Sequence, residues 1–441
     1  MTEQTVARAL RTIADERPPP PLPDDLWHRG QRRRHRRIAV AVLAAIGVVV
    51  ALVLPLLATY RPDPTPLPPA DGETAIPRSV DAPVGFARTV EDAPPGAASA
   101  VVTGGFGNED GSRILVVGRD GKDRVVEGIT SDRAGDHVHL SLDGRRLALG
   151  GQEDAESASV VDLITGEVRV MAFKGPAVAW SPDGRLLLLD RETSRLRLVD
   201  LDSGRDRVLA EAVTDDALVA FSADGSLLAL QRGATLDLVD VATGRGFRQL
   251  DVGRGRRLAG PGAWTADGKV ALWELPTTCV NSPCTLEAGE LGIFRLTLLD
   301  PGTAGFTPAG LDAVDGTVPR LLGWRNDGAA VVLNHRPPST DPVEGPTILP
   351  TDARIVGLAP GGGSTDLIDL PAGVYGAELA VDLVRAGRFG GDPPGLLTRL
   401  GETLRGIADM VWPLTLAIAG AVVLVLAYRR LRRPSSRPPA S

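Results

Sequence analysis

One eleven-residue pattern returns five times in the middle of this chain: HLSLDGRRLAL, AWSPDGRLLLL, AFSADGSLLAL, AWTADGKVALW and GWRNDGAAVVL. Its glycines, Gly144, Gly184, Gly225, Gly268 and Gly328, stand 40, 41, 43 and 60 residues apart. A chain that repeats at such a period builds one supersecondary unit several times over. Each unit can bury its apolar face only against its neighbours.

The residue chemistry says what the unit is. Asp143-Gly144, Asp183-Gly184, Asp224-Gly225, Asp267-Gly268 and Asp327-Gly328 each divide two apolar runs. In Ser181-Pro182-Asp183-Gly184, Pro presets φ for the second position of a type I turn. Asp tolerates the bridge region, and Gly takes the positive φ that closes a bulged hairpin. A second pattern follows each copy: an alternating strand, a turn with Asp or Gly, and another strand. It reads SVVDLITGEVRVM, RLRLVDLDSGRDRVL, TLDLVDVATGRGFRQL and FRLTLLDPGTAGF. An earlier copy, RILVVGRDGKDRVV at 113–126, has no Asp-Gly hairpin before it, and a degenerate one, RIVGLAPGGGSTDLIDL, occupies 354–370. Two hairpins per repeat make four strands, the content of one β-propeller blade. Six copies of the second hairpin predict an all-β, six-bladed propeller over 98–386, its first blade completed by strands from both ends of the domain. Seven blades is the alternative count.

These turns resemble the WD40-like repeats of the TolB type, whose blades carry WSPDG-like turns. The resemblance covers roughly residues 100–370. Trp180-Ser181-Pro182-Asp183-Gly184 is the best copy and Arg325-Asn326-Asp327-Gly328 the weakest. It implies a propeller that binds proteins or ligands, and it carries no fixed catalytic residue onto this chain.

Two apolar stretches stand outside the repeat. Ile38 to Ala58 is 21 residues without a charge, and Val411 to Tyr428 is 18. At about 1.5 Å per helical residue the first matches the ~30 Å hydrocarbon core and the second sits near the short limit. The spans are placed at 38–58 and 409–428. Arg32, Arg33, Arg34, Arg36 and Arg37 precede the first, and Arg429, Arg430, Arg432 and Arg433 follow the second. Lys/Arg-rich flanks stay cytoplasmic, and two spans return the chain to the side it left. Both signals predict a two-pass plasma-membrane protein with both termini inside and the repeat domain outside. The Pro-rich 59–97 reads as an extended stalk. Residues 387–408 read as a return linker with a short amphipathic helix, and 429–441 as a basic tail. The head, 1–37, reads as topogenic charge that meets lipid headgroups or, alternatively, as a docking segment for a cytoplasmic protein. It resembles the Arg-rich segments of actinobacterial membrane proteins linked to extracytoplasmic-function sigma factors.

Charge narrows the partners. The net −7 conceals 34 basic and 49 acidic residues in 60–408, which leave that region at −15. Such a module repels phosphate backbones, which argues against nucleic acid. Cys279 and Cys284, the only cysteines, are spaced C-V-N-S-P-C. Outside the membrane this spacing predicts a small loop-locking disulfide, and two thiols are too few ligands for a structural zinc site. His137 and His139 form H-x-H, and His139 falls where the other repeats place Ala179, Ala220 and Ala263. A buried, satisfied histidine or a surface one is the expectation there, rather than a site residue. No G-x-S-x-G elbow or P-loop appears. The sequence therefore predicts a binding or sensing propeller at the cell envelope, without cofactor, metal or catalytic residues, meeting an envelope protein or ligand outside. The alternatives are an envelope enzyme using the propeller channel and a structural scaffold.

Overall fold

In the computed structural model the described residues are 75–83, 87–106, 113–126, 138–150, 157–277, 291–317, 319–336 and 352–391. They begin with a short strand, β1 (Ile76–Pro77), and then wind through six sheets. The second to fourth strands of blade 1 are β2 (Ala98–Gly104), β3 (Arg113–Gly118) and β4 (Asp123–Val126). Blade 2 is β5 (Val138–Leu140), β6 (Arg146–Leu149), β7 (Ser157–Asp162) and β8 (Val168–Lys174). Blade 3 is β9 (Ala177–Trp180), β10 (Leu186–Asp190), β11 (Arg195–Val199) and β12 (Asp206–Ala210). Blade 4 is β13 (Leu218–Phe221), β14 (Leu227–Arg232), β15 (Thr235–Asp240) and β16 (Arg245–Asp251). Blade 5 is β17 (Arg256–Leu258), β18 (Val270–Glu274), β19 (Gly292–Asp300) and β20 (Gly305–Pro308), with β21 (Val314–Gly316) added to β19. Blade 6 is β22 (Arg320–Trp324), β23 (Ala330–Arg336), β24 (Asp352–Leu358) and β25 (Ser364–Asp369).

The ring closes through β26 (Val374–Leu379), which pairs with β2 as the innermost strand of blade 1. This is the six-bladed architecture, with one blade built from both ends of the domain. It also explains why the first repeat copy lacks an Asp-Gly hairpin: its inner strand arrives from the far end of the domain. In place of that turn stands α1 (Val381–Arg385), followed by β27 (Phe389–Gly391).

The repeats form these strands because aliphatic runs meet turn residues that can accept the required dihedrals. Gly144, Gly184, Gly225, Gly268 and Gly328 all have positive φ, from 72° to 83°. In four of the five turns a hydroxyl three residues earlier supports the hairpin. Ser141 Oγ accepts from Arg146 N–H at 2.9 Å and donates to Asp143 at 2.8 Å, and Ser181, Ser222 and Thr265 repeat the arrangement. The fifth uses the Arg325 guanidinium, 2.6 Å from the Asp327 carboxylate. The outer hairpins are capped by a leading aspartate: Asp200 accepts from the N–H groups of Asp202 and Ser203 at 3.0 and 2.9 Å. Asp162, Asp240 and Asp300 do the same. Strand alternation puts both sets of turns on one face of the ring.

Between the blades, leucines and valines fill the core; Leu147, Leu186, Leu228 and Ile355 are fully buried. The stalk reading over 59–97 needs correction at its inner end. Ile76, Val80 and Val90 are buried among blade residues, because these scattered apolar side chains find unpaired strand edges to cover. Val80 N–H donates to Asp369 O at 2.9 Å and Val90 N–H to Val125 O at 3.0 Å, so this segment lines the outer strands of blades 6 and 1. Strand β1 also pairs in parallel with β27, which brings 389–391 out of the linker reading and into the domain. Among the described residues no helix is long and apolar enough to cross a membrane. The two expected spans, both arginine clusters, Cys279, Cys284 and His137 lie outside the described residues.

Candidate functional site

The inner strands leave a central channel, and a cavity of about 840 Å3 opens in it at the end away from the Asp-Gly turns. No Asp-Gly residue lines it. Those ten residues are hairpin geometry, and the cavity is lined from the opposite ends of the strands.

On one side the wall is apolar: Val178, Val213 and Leu218 from blades 3 and 4 and the stretch before them. On the other side stand Leu258, Trp273, Phe294 and Leu333 of blades 5 and 6. Leu258, Trp273, Phe294 and Leu333 are each 3% exposed or less, so they back the wall from between the blades. Polar groups are few and specific. Asp215 is 3.2 Å from Arg191, and Asp216 accepts from the Thr214 hydroxyl. Arg257 and Arg320 bring guanidinium groups from neighbouring inner strands, with Tyr375 and His335 completing the lining.

Beside the cavity a charged node joins three blades. Glu378 of β26 receives a 2.5 Å hydrogen bond from Arg320 Nη2 of β22, and His139 Nδ1 of β5 lies 3.7 Å from the same carboxylate oxygen. Burial opposes the charge on Glu378. The Arg320 cation and the contact with His139 outweigh it and hold the carboxyl below the ordinary glutamate value. His139 is itself buried, and its carbonyl accepts from Trp180 Nε1 at 2.8 Å.

His139 was visible in the sequence as a departure from alanine in the other repeats. Glu378, Arg320, Arg257 and Tyr375 were not, because none lies in a repeated pattern. The usable signal was inverse: charge at inner-strand positions where sister blades carry small residues. Among the described residues no group of three or more His, Cys, Asp or Glu side chains could hold a metal ion.

No protein-family model and no curated protein sequence matches the chain. Solved structures that resemble it include TolB from Acinetobacter baumannii, 15% identical over 59% of this chain and 67% of that one, with a TM-score of 0.36. A putative TolB from Agrobacterium tumefaciens is 15% identical over 63% of this chain and 90% of that one, with a TM-score of 0.37. An oligogalacturonate lyase from Vibrio parahaemolyticus is 15% identical over 62% and 74%, with a TM-score of 0.34. The six-bladed ring rests on the pairing of this chain's own strands.

Proposed function

We propose that this chain is a membrane-anchored propeller, exposed outside the cell, that receives a ligand or a segment of a partner protein in its channel. The observation that carries the reading is the cavity: about 840 Å3, open at one end, apolar in its walls and furnished with a few fixed charges. Pockets of that size and make-up are what small ligands and inserted peptide segments occupy. Binding without catalysis is favoured by the state of the charges. Glu378 is held ionised between Arg320 and His139, and Asp215 is paired with Arg191. Glu378 is thereby not left poised to exchange a proton.

The anchor rests on the two apolar stretches and their arginine flanks, and the cytoplasmic head then reports occupancy or fixes the protein in place. Cys279 and Cys284 close a disulfide in the outer compartment.

A photo-cross-linking residue at position 217, on the cavity wall, tests the binding role in the full-length protein in its own membrane. A second at 203, on the turn face, is the control. Capture of a ligand or partner from 217 and not from 203 is expected, and capture from 203 alone defeats the reading. Impermeant maleimide on intact cells tests the topology: Ser203→Cys should react and Ser435→Cys should not. Mass spectrometry without reductant should find Cys279 and Cys284 joined.

A further inference from the structure

Most arginines of this acidic module are engaged. Arg119, Arg185, Arg197, Arg232 and Arg320 each hold a carboxylate, and Arg169, Arg207 and Arg248 each donate to a carbonyl of the next blade. Three arginines at the closing seam differ. Arg78, Arg385 and Arg388 are exposed, and none has an ion pair or a side-chain hydrogen bond among the described residues. The fold gathers them from both ends of the domain. Arg385 ends α1 and Arg388 precedes β27. Arg78 follows β1, the strand that pairs with β27. Ile76 N–H donates to Arg388 O at 2.9 Å and Arg78 N–H to Gly391 O at 3.1 Å. The Arg78 side chain lies over Gly390, where a Cβ would stand 3.1 Å from its Nε.

The neighbouring carboxylates do little to offset them. Asp382 is 2.8 Å from Arg119, and Asp327 is 2.6 Å from Arg325. Asp369, opposite Ser79 in a parallel bridge, remains unpaired beside the three. Unpaired arginines elsewhere sit among acids of their own turns: Arg205 follows Asp200 and Asp202, and Arg245 follows Asp240. The seam is also where both ends of the described domain leave, since a Cβ at Gly391 would stand 3.1 Å from Ala75 O. Beyond it lie 59–74 and 392–408, and then the two apolar stretches. A module at −15 is held off an anionic surface by its average charge, and it can approach only by a face that shows unpaired cations. Tethers attached at that same face keep it at high effective concentration near the surface.

We infer that the seam between blades 6 and 1 lies against the anionic phosphate headgroups of the bilayer through Arg78, Arg385 and Arg388. The contact fixes which side of the ring meets the membrane. The inference rests on the proposed anchoring, and it adds the surface on which the domain rests. A guanidinium takes phosphate oxygens in paired hydrogen bonds, and each cation also gains from the negative potential of the lipid surface.

The test uses the full-length protein in vesicles of phosphatidylcholine alone, or of phosphatidylcholine and phosphatidylglycerol in equal parts. A photo-cross-linking residue at position 386, exposed between Arg385 and Arg388, is read by mass spectrometry for attached lipid, and one at 203 is the control. Capture of phosphatidylglycerol from 386 should exceed capture of phosphatidylcholine, and capture from 203, by about tenfold. It should fall in about 0.5 M salt, which shortens the screening length. Arg78→Gln, Arg385→Gln and Arg388→Gln together should lower it by about tenfold. Arg205→Gln, Arg245→Gln and Arg254→Gln together, the same change of net charge elsewhere, should leave it unchanged. Equal capture of the two lipids from 386, equal capture from 203, or equal loss in both triple variants overturns the inference. Extraction with alkaline carbonate reads the anchor separately. A chain that resists extraction and captures no lipid from 386 keeps the anchor and loses the docking surface. A chain that is extracted, yet captures phosphatidylglycerol from 386 beforehand, loses the anchor and keeps the surface.

Discussion

The junctions on one half of the ring are copies of each other, and those on the other half are not. From blade 2 to blade 5, each outermost strand sends an arginine to the next blade's outer turn. Arg169 reaches Leu201 O, Arg207 reaches Ala242 O, and Arg248 reaches the carbonyls of Pro301 and Gly302. Tryptophans add struts near the channel, Trp180 to His139 O and Trp264 to Ala220 O. Between blades 5 and 6 both devices lapse. Thr307 holds the arginine's place opposite Leu298, and the buried Trp324 Nε1 has no partner. Asp312 instead accepts from Gly363 N–H at 2.6 Å. Blades 6 and 1 are joined by unrepeated sequence from both ends of the domain. A ring can thus be stapled by one recurring side chain wherever the repeat is intact. Where it opens for insertions or for closure, other residues must take over.

The contrast can be broken at its weakest copy. Ile76→Asp would place a charge at a fully buried site in the closing seam, and a cost of several kcal/mol is expected. Denaturant melts should show a large loss, and hydrogen exchange should rise first in blades 6 and 1. Equal exchange around the ring would mean the seam is no weaker than its sisters.

Acid should act at the same seam. The Glu378 carboxyl lies below its unfolded value of about 4.3, so its contribution is complete above that pH. As pH falls through the lower folded value, protons bind and the stabilisation is lost. Glu378→Gln should flatten the profile of melting temperature against pH below about 4.3, and an unchanged profile would assign the acid sensitivity elsewhere.

Arg207→Ala samples the repeated half. Loss of one charged hydrogen bond to a turn carbonyl, partly exposed, should cost about 1 kcal/mol. Thr307→Ala, its counterpart between blades 5 and 6, should cost much less, and matching losses would erase the distinction. The smallest effect is a gain. Ala304 fills the glycine place of its outer turn with φ +60°, a left-handed conformation that alanine resists. Ala304→Gly should stabilise by about 0.5–1 kcal/mol, measured as a small rise in melting temperature.

The fold was largely legible in the sequence because turn chemistry repeats. Asp-Gly pairs and alternating strands are local, and the copy at 113–126 without its first hairpin foretold a blade shared between the ends. The cavity was much less legible. Its charged residues lie at no repeated position, and only His139 stood out against aligned alanines. Glu378 and Arg320 are 58 residues apart and meet only because the ring closes between them. The docking of 75–83 and 87–97 was also hidden. Four prolines interrupt that segment, and the three apolar side chains that seat it show no period.

The pairing of β1 with β27 has a mechanical consequence. Ile76 faces Phe389 and Pro77 faces Gly391 in parallel, so the chain enters at one end of the pair and leaves at the other. Tension applied through the flanking chain therefore slides the two strands along one another and loads their hydrogen bonds together. An antiparallel pair held at the same points would open one bond at a time. The joint where the ring closes is thereby the part of the domain best placed to withstand a pull from both sides.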